Sequence, residues 1–263
     1  MQKATVLICN LNTSQRLALT MESLRCQGKY CPDIWVFDGG SKDGVEGVVD
    51  EYSDIVKRYE QRKDRGLYDC LARGFREIQD SELVSYINCG DTYCLNAWKR
   101  IRMEFSDESV MWITGLPSHS NSDGTVRRVH RPFRYNREWI VRGFYDGRIM
   151  RTIQQESCVW RACLMGSVDL NRLSSFKLAG DFYMWHSFAE AGNKPKLVDA
   201  VLASFMNHEK QLSDDRDGYA KEVEYIIRDY SRRKGLRRAW LTGLVEKYVQ
   251  IPDRIHEILY KPR

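Results

Sequence analysis

The chain of 263 residues is long enough for one large domain, or for one domain followed by a helical tail. Its hydrophobic content of 43 % is ordinary for a globular protein, and with no secretory leader and no apolar run of about 18 residues it is expected to remain cytoplasmic. A net charge of +5 without a nucleic-acid motif sets aside a nucleic-acid binder, and 8 cysteines without a CxxC pair set aside a structural zinc site and read as free thiols.

Residues 4–10 form a short apolar run that ends in polar turn residues and predict a first buried strand. A helix follows over 14–26, with Leu17, Leu19, Met21 and Leu24 along it and Ser14 as its N-cap. Pro32 precedes a second strand over 34–37. Residues 44–59 carry a helical stripe of Val45, Val48, Val49, Tyr52, Ile55 and Val56. A third helix is predicted over 67–78 and a strand over 83–87. This βαβαβ rhythm predicts an α/β fold, a mostly parallel sheet with helices on its faces. Beyond Asn96 the rhythm loosens. Residues 97–105 read as a helix, 109–116 as a strand and 118–124 as a polar loop. Residues 127–151 mix arginines with aromatics and specify no element; they are either a solvated stretch or a loop over a diphosphate, which arginine forks recognise well. Residues 156–164 read as a strand and helix start, 181–192 as a helix, 196–205 as the last strand and 222–230 as the opening of a charged helical region.

Three acidic turns stand out. Phe37-Asp38-Gly39-Gly40-Ser41-Lys42-Asp43-Gly44 follows the second strand, Asn88-Cys89-Gly90-Asp91 the strand over 83–87, and Ala179-Gly180-Asp181 opens a helix. Glycines at strand ends let backbone N–H groups approach a ligand closely. The carboxylates suit a ribose, a base edge or a metal better than a bare phosphate, because like charges repel. Strand-end and helix-start aspartates far apart in sequence can meet at one rim of a sheet, where α/β proteins bind ligands. That arrangement fits metal-assisted transfer from a nucleotide-activated donor.

With these motifs in this order over about residues 4–215, the chain resembles the family 2 glycosyltransferases of the glycosyltransferase-A fold. The strand over 5–10 with Asn12 resembles the family's first nucleotide-binding turn, and Asp38 to Gly44 its second. Asp64-Arg65-Gly66-Leu67-Tyr68-Asp69 is similar to the Asp-Lys-Gly-Ile-Tyr-Asp signature of one subgroup. Asn88-Cys89-Gly90-Asp91 stands where the family has its Asp-x-Asp metal motif, and Gln154-Gln155-Glu156-Ser157 with Ala179 to Trp185 resembles its acceptor side. The resemblance implies Asp181 as catalytic base. It implies Asn10, Asn12, Asp38, Ser41, Asp64, Gly66, Asp69, Asn88 and Gly90 as donor contacts, and Asp91 with His208 as ligands of Mn²⁺ or Mg²⁺. Gln155, Glu156 and Trp185 would bind the acceptor. The implied reaction is inverting: a sugar, from a UDP-sugar for preference, moves to a hydroxyl of a glycan or lipid-linked glycan, typically in bacterial surface polysaccharide assembly. One departure bears on the metal. Cys89-Gly90-Asp91 has a single carboxylate, so metal binding should be weak until the diphosphate arrives.

Plainer readings stand beside these. Asp38 could cap its turn and Asp43 the following helix; Asp64 could pair with Arg62 or Arg65, and Asp69 with Arg73 one helical turn on. His208 could be a loop histidine, Trp185 a core residue, and Glu156 a buried partner of an arginine. Residues 216–263 read as a basic helical extension of a catalytic domain over 1–215. Arg232, Arg233, Lys234, Arg237 and Arg238 precede Trp240 and Leu241, so the segment 228–245 suits an anionic membrane surface or another protein chain, which leaves an oligomer open. Two rivals remain: a non-catalytic sugar-nucleotide or glycan binder on the same fold, and a nucleotidyltransferase, whose basic glycine-rich loop near the N-terminus has no counterpart in residues 8–14.

Overall fold

A computed structural model describes residues 1–78, 81–132, 134–208 and 211–235. Its first third alternates as expected: β1 (Ala4–Asn10), α1 (Ser14–Arg25), β2 (Asp33–Asp38), α2 (Val45–Glu51), β3 (Val56–Gln61), α3 (Leu67–Glu77) and β4 (Leu83–Asn88). Then come β5 (Thr92–Tyr93), α4 (Ala97–Glu104), β6 (Trp112–Thr114), β7 (Ser118–Ser120), β8 (Val126–Val129) and α5 (Arg137–Val141). The rest comprises β9 (Val159–Arg161), α6 (Leu170–Leu173), α7 (Gly180–Glu190), β10 (Lys196–Leu197), β11 (Ala203–Met206) and α8 (Arg216–Arg233).

A seven-stranded sheet runs β10-β6-β9-β4-β1-β2-β3, and a second sheet runs β5-β11-β7-β8. In the large sheet only β9 is antiparallel to its neighbours. Successive side chains of a strand point to opposite faces. Val6, Ile8, Ile34 and Val36 therefore pack with Leu17 and Met21 of α1 on one face, and Leu7, Phe37, Val84 and Tyr86 pack with Leu71 and Phe75 of α3 on the other. Burial on both faces explains why β1 and β4 read as nearly continuous apolar runs. The parallel register sets Asn10 opposite Asp38, Asp38 opposite Gln61, and Cys9 opposite Asn88. The polar ends of β1, β2 and β4 thus form one row at the carboxyl edge, which is what assembles the site.

Several expectations need correction. The helix expected over 44–59 stops at Glu51, and Val56–Gln61 is the edge strand β3. Ile55 and Val56 prolong the apolar stripe by chance, while the polar residues of β3 suit a strand with one exposed edge. The loop expected over 118–124 contains β7, which pairs with β8 from the unassigned arginine-rich stretch. The single strand expected over 196–205 divides between the sheets as β10 and β11. Ser14 is not the N-cap of α1; Thr13 is, and the Ser14 N–H donates to Asp43 Oδ2 at 2.7 Å. Asp43 therefore serves α1, whereas α2 begins after Gly44 without a side-chain cap. Nor are all eight cysteines free: Cys9 of β1 and Cys70 of α3 are joined as a disulfide, their Cα atoms 6.3 Å apart, because the helix packs directly on the strand.

Trp185 is a core residue rather than an acceptor platform. It is 2 % exposed and stacks on Trp112 with centroids 5.1 Å apart and planes 21° from parallel. The division at residue 215 also changes, because Val223 and Ile226 of α8 lie in the larger core. Cations at the end of α8 are engaged in ion pairs: Arg228 with Glu224, Arg232 with Asp229, and Arg233 with Glu190 and Asp229. The remainder of the basic segment, from residue 236, lies outside the described residues. No described helix is long and apolar enough to cross a membrane.

Candidate active site

The donor-side turn is organised around Asp38. Its carboxylate accepts the N–H groups of Gly40 and Ser41 at 3.0 and 2.7 Å, Asn10 Nδ2 at 2.7 Å, Gln61 Nε2 at 3.1 Å and the Ser41 hydroxyl. Burial alone would raise its pKa, but the hydrogen bonds from Ser41, Asn10 and Gln61 outweigh it and hold the carboxyl below its usual value. Fully buried and saturated, Asp38 shapes the turn from within rather than facing a base or ribose. Asn10 and Ser41 are buried with it, and Ser41 Oγ accepts the Asn12 N–H at 2.7 Å. Asn12 adopts the left-handed conformation, φ 51°, and its Oδ1 takes the Lys42 N–H at 3.0 Å. What this network presents to solvent is Leu11, Asn12, Gly40 and Lys42.

The signature loop before α3 meets the same turn. Asp64 Oδ1 accepts the Gly66 N–H at 2.9 Å, and a Cβ on Gly39 would stand 3.0 Å from Asp64 Oδ2. Burial raises the Asp64 pKa. Asp69 pairs with Arg65 rather than Arg73: it accepts the backbone N–H of Arg65 at 3.1 Å and its guanidinium at 2.6 Å. Arg73 lies instead 3.6 Å from Glu60.

Asp91 sits on the turn after β4. Thr20 Oγ1 accepts the Gly90 N–H and donates to the Asp91 carbonyl, each at 2.8 Å. Asp91 Oδ1 accepts the Met206 N–H of β11 at 2.8 Å, while Oδ2 is buried and makes no hydrogen bond of good geometry among the described residues. Its carboxyl is 3 % exposed, and burial pushes its pKa up to about 7. Burial pushes the neighbouring Cys89 thiol up to about 12, so without a metal it stays neutral. His208 follows β11 two residues after Met206, and its backbone N–H reaches Gln211 Oε1 at 3.3 Å. Among the described residues no three His, Cys, Asp or Glu side chains gather as a ready metal cage.

Gln155 and Glu156 are buried rather than presented to an acceptor, Gln155 beside Asn88 and Glu156 facing the charge of Asp91. Gln155 is buried, donates to the Tyr86 carbonyl at 2.5 Å and accepts Asn88 Nδ2 at 3.2 Å. Asn88 is thereby tied to Gln155. Glu156 is 2 % exposed; the charges it faces are those of Asp91 and Asp181 rather than an arginine, and burial first and these acids next push its pKa well up.

Asp181 stands in the first turn of α7, half-buried, with burial pushing its pKa up to about 7. Its Oδ1 accepts the Phe182 N–H at 2.7 Å and lies 3.5 Å from the Tyr68 hydroxyl, which donates to the Leu178 carbonyl at 3.0 Å. Tyr68 lies within the signature 64–69, yet nothing in that motif says that it reaches Asp181. Only Gly180 allows this approach, since a Cβ there would stand 2.3 Å from Tyr68 Cδ1. Gly180→Ala is therefore expected to displace Tyr68 and destabilise the fold by about 1–3 kcal/mol, the usual cost of overpacking. Urea unfolding measures it, and an unchanged midpoint would contradict the packing described.

Residues 5–173 match the family model described as "Glycosyl transferase family 2". No curated protein matches the chain. TarS of S. aureus, residues 1–349, aligns at a TM-score of 0.60 and 14 % identity, over 97 % of this chain and 82 % of that one. The same TarS fragment with UDP-GlcNAc aligns at 0.61 and 13 %, over 99 % and 74 %. The mannosyltransferase PcManGT of Pyrobaculum calidifontis, in complex with GDP-Man and Mn²⁺, aligns at 0.62 and 14 %, over 97 % and 71 %. At these identities the likeness is one of fold, and the fold is that of the glycosyltransferase-A enzymes. The family match runs from β1 through the site turns at Asp38, Asp64, Asp91 and Glu156, over more than half of the sequence, and the chain belongs to glycosyl transferase family 2.

Proposed function

We propose that this family 2 glycosyltransferase is inverting and metal-dependent, and moves a sugar from a nucleoside diphosphate donor, a UDP-sugar for preference, to a hydroxyl of a glycan or lipid-linked glycan. Bacterial surface polysaccharide assembly is the setting such chemistry suits. One observation carries the reading: a half-buried Asp181 whose pKa is pushed up to about 7 opens a helix beside the buried pair Asp91 and Glu156. A base poised near neutral pH and still open to solvent is what abstraction of a hydroxyl proton requires. The ligands named for the similar structures, UDP-GlcNAc in one and GDP-Man with Mn²⁺ in another, support the donor class.

The residues fit a divalent cation at one position. Asp91 Oδ2 is a hard oxygen donor that makes no hydrogen bond of good geometry among the described residues, and an imidazole at His208 follows the strand that fixes Asp91 Oδ1. Asp91 and His208 would hold Mn²⁺ or Mg²⁺, with donor diphosphate oxygens completing the shell. Bound there, such an ion supplies positive charge against the departing diphosphate.

The remaining steps belong to the chain. The rim from Leu11 to Gly40 seats the nucleoside. Asp181 takes the proton of the acceptor hydroxyl while that oxygen bonds to the sugar's anomeric carbon, from the face opposite the diphosphate. The bond from that carbon to the diphosphate oxygen breaks, and its electron pair leaves with the nucleoside diphosphate. Glu156, kept protonated by burial and by the two aspartates, limits the negative charge between them.

Thermal unfolding with UDP or GDP, with and without Mn²⁺, tests the donor reading. A ligand at a hundred times its Kd adds about 2.7 kcal/mol of stability. That corresponds to a rise of roughly 5–10 °C for a chain of this size. We expect such a rise for one of the two with Mn²⁺ and a smaller one without it. No rise with either nucleotide would overturn the proposal.

A further inference from the structure

We propose that Glu222 of α8 is a positioning residue, whose carboxylate fixes the turn that carries Asp181 and so aims the base at the acceptor. The inference rests on the reading of Asp181 as the base. Glu222 Oε1 accepts the Lys177 N–H at 2.9 Å, and Oε2 accepts those of Leu178 and Ala179 at 3.0 and 2.7 Å. These three residues lead directly into α7, whose N-cap, Ala179, has no side-chain acceptor of its own. A helix start without a cap needs acceptors from elsewhere, and here a charged one comes from more than 40 residues downstream.

The same turn is held from the other side. The Tyr68 hydroxyl donates to the Leu178 carbonyl, and Lys177 Nζ donates to the Arg65 carbonyl at 2.5 Å. Both polar groups of Leu178 are thus taken by side chains of two different helices, three residues before Asp181. Gly218 lets α8 come this close, since a Cβ there would stand 2.6 Å from Leu178 Cδ1. The family match ends at residue 173, so Glu222 and the turn it holds lie outside it.

Glu222 also acts on Asp181 through its charge. The groups that face Asp181 are Tyr68, Tyr86, Glu156, Cys158, Tyr219 and Glu222; burial is the largest influence on the Asp181 carboxyl, and the Glu222 charge adds to it. Loss of that charge should leave Asp181 more acidic. A base that gives up its proton more readily stays ionised at lower pH and is weaker.

The test uses the full chain and its variants Glu222→Gln and Asp181→Asn. Release of UDP from UDP-GlcNAc and of GDP from GDP-mannose, with water as acceptor and Mn²⁺ present, is followed against pH. Amide hydrogen exchange over 177–181 is followed in parallel. Glu222→Gln is nearly isosteric, and a thermal melt identifies the temperatures at which it remains folded. We expect faster exchange at 177–179, release slowed about tenfold at saturating donor, an unchanged KM, and an acid limb moved to lower pH. If exchange quickens while rate, KM and acid limb match the wild type, Glu222 is a structural tie alone and this proposal fails by itself. If Asp181→Asn retains full release, the base reading fails and takes the proposal with it.

Discussion

Asp181→Asn should lower turnover by about a hundredfold or more, the usual consequence of losing a general base. Asparagine keeps the oxygen that receives the Phe182 N–H and the contact with Tyr68, so the first turn of α7 should hold its shape. What disappears is the ability to accept a proton. Donor and metal binding should change little, since Asp181 belongs to α7 and the donor turn to the ends of β1 and β2. The pH profile gives a second readout. Asp181 must be ionised to act, and burial pushes its pKa up to about 7, so wild-type turnover should rise through neutral pH and level off above it. Between about pH 8 and about pH 6 the loss should be roughly tenfold, set by the ionised fraction. In the variant that limb should vanish. Weaker donor binding with normal turnover at saturation would make Asp181 a donor contact instead. A lower melting temperature alone would make it a helix cap.

Asp91→Asn should nearly abolish transfer and remove the effect of Mn²⁺ on nucleoside diphosphate binding. It should also stabilise the metal-free protein at alkaline pH, which an ordinary loss of function would not. Burial holds the Asp91 carboxyl well above the usual aspartate value, at about 7. The folded chain therefore binds that proton more tightly than the unfolded chain. The stability this contributes is fully present below about pH 4, the ordinary aspartate range. It declines above that and is lost as pH rises through about 7, where a buried carboxylate must form that hydrogen bonds and the charge of Arg16 only partly offset. Each pH unit across that window removes about 1.4 kcal/mol. Asparagine still accepts the Met206 N–H but carries no charge. Without metal, the variant should melt several degrees above wild type at about pH 8, and the gap should shrink at about pH 5. Added Mn²⁺ should reverse the order at about pH 8. The same gap at both pH values would contradict the raised Asp91 pKa, and normal metal-dependent turnover would remove Asp91 from the metal-binding role.

The strands and most helices of the first third were legible in the sequence because parallel strands buried on both faces must be largely apolar, as residues 4–9 and 83–87 are. The ordered acidic turns were legible too, because Gly, Asp, Asn and Ser after an apolar run mark the end of a strand. Other information was not. β3 was hidden by a helical stripe that continued past the true helix end, since an edge strand needs little apolar periodicity. Asp38, Asp69, Gln155 and Trp185 were singled out by type and place, but whether a side chain faces outward depends on which partners the fold brings to it. For Asp38 these are Asn10, Ser41 and Gln61, and for Asp69 it is Arg65.

Local patterns of side chains suffice for the α/β class and the family resemblance, and they single out the acids proposed for the site. How those acids divide their work is a property of the folded chain. Register aligns Asn10 with Asp38, so Asp38 is consumed by its own turn. Burial raises Asp91, Glu156 and Asp181 together, because chain segments far apart in sequence close around one volume. The clamp on the Asp181 turn comes from Glu222, a residue with no motif around it. Its role exists only where α8 packs against residues 177–179, a contact between distant segments that no local pattern encodes.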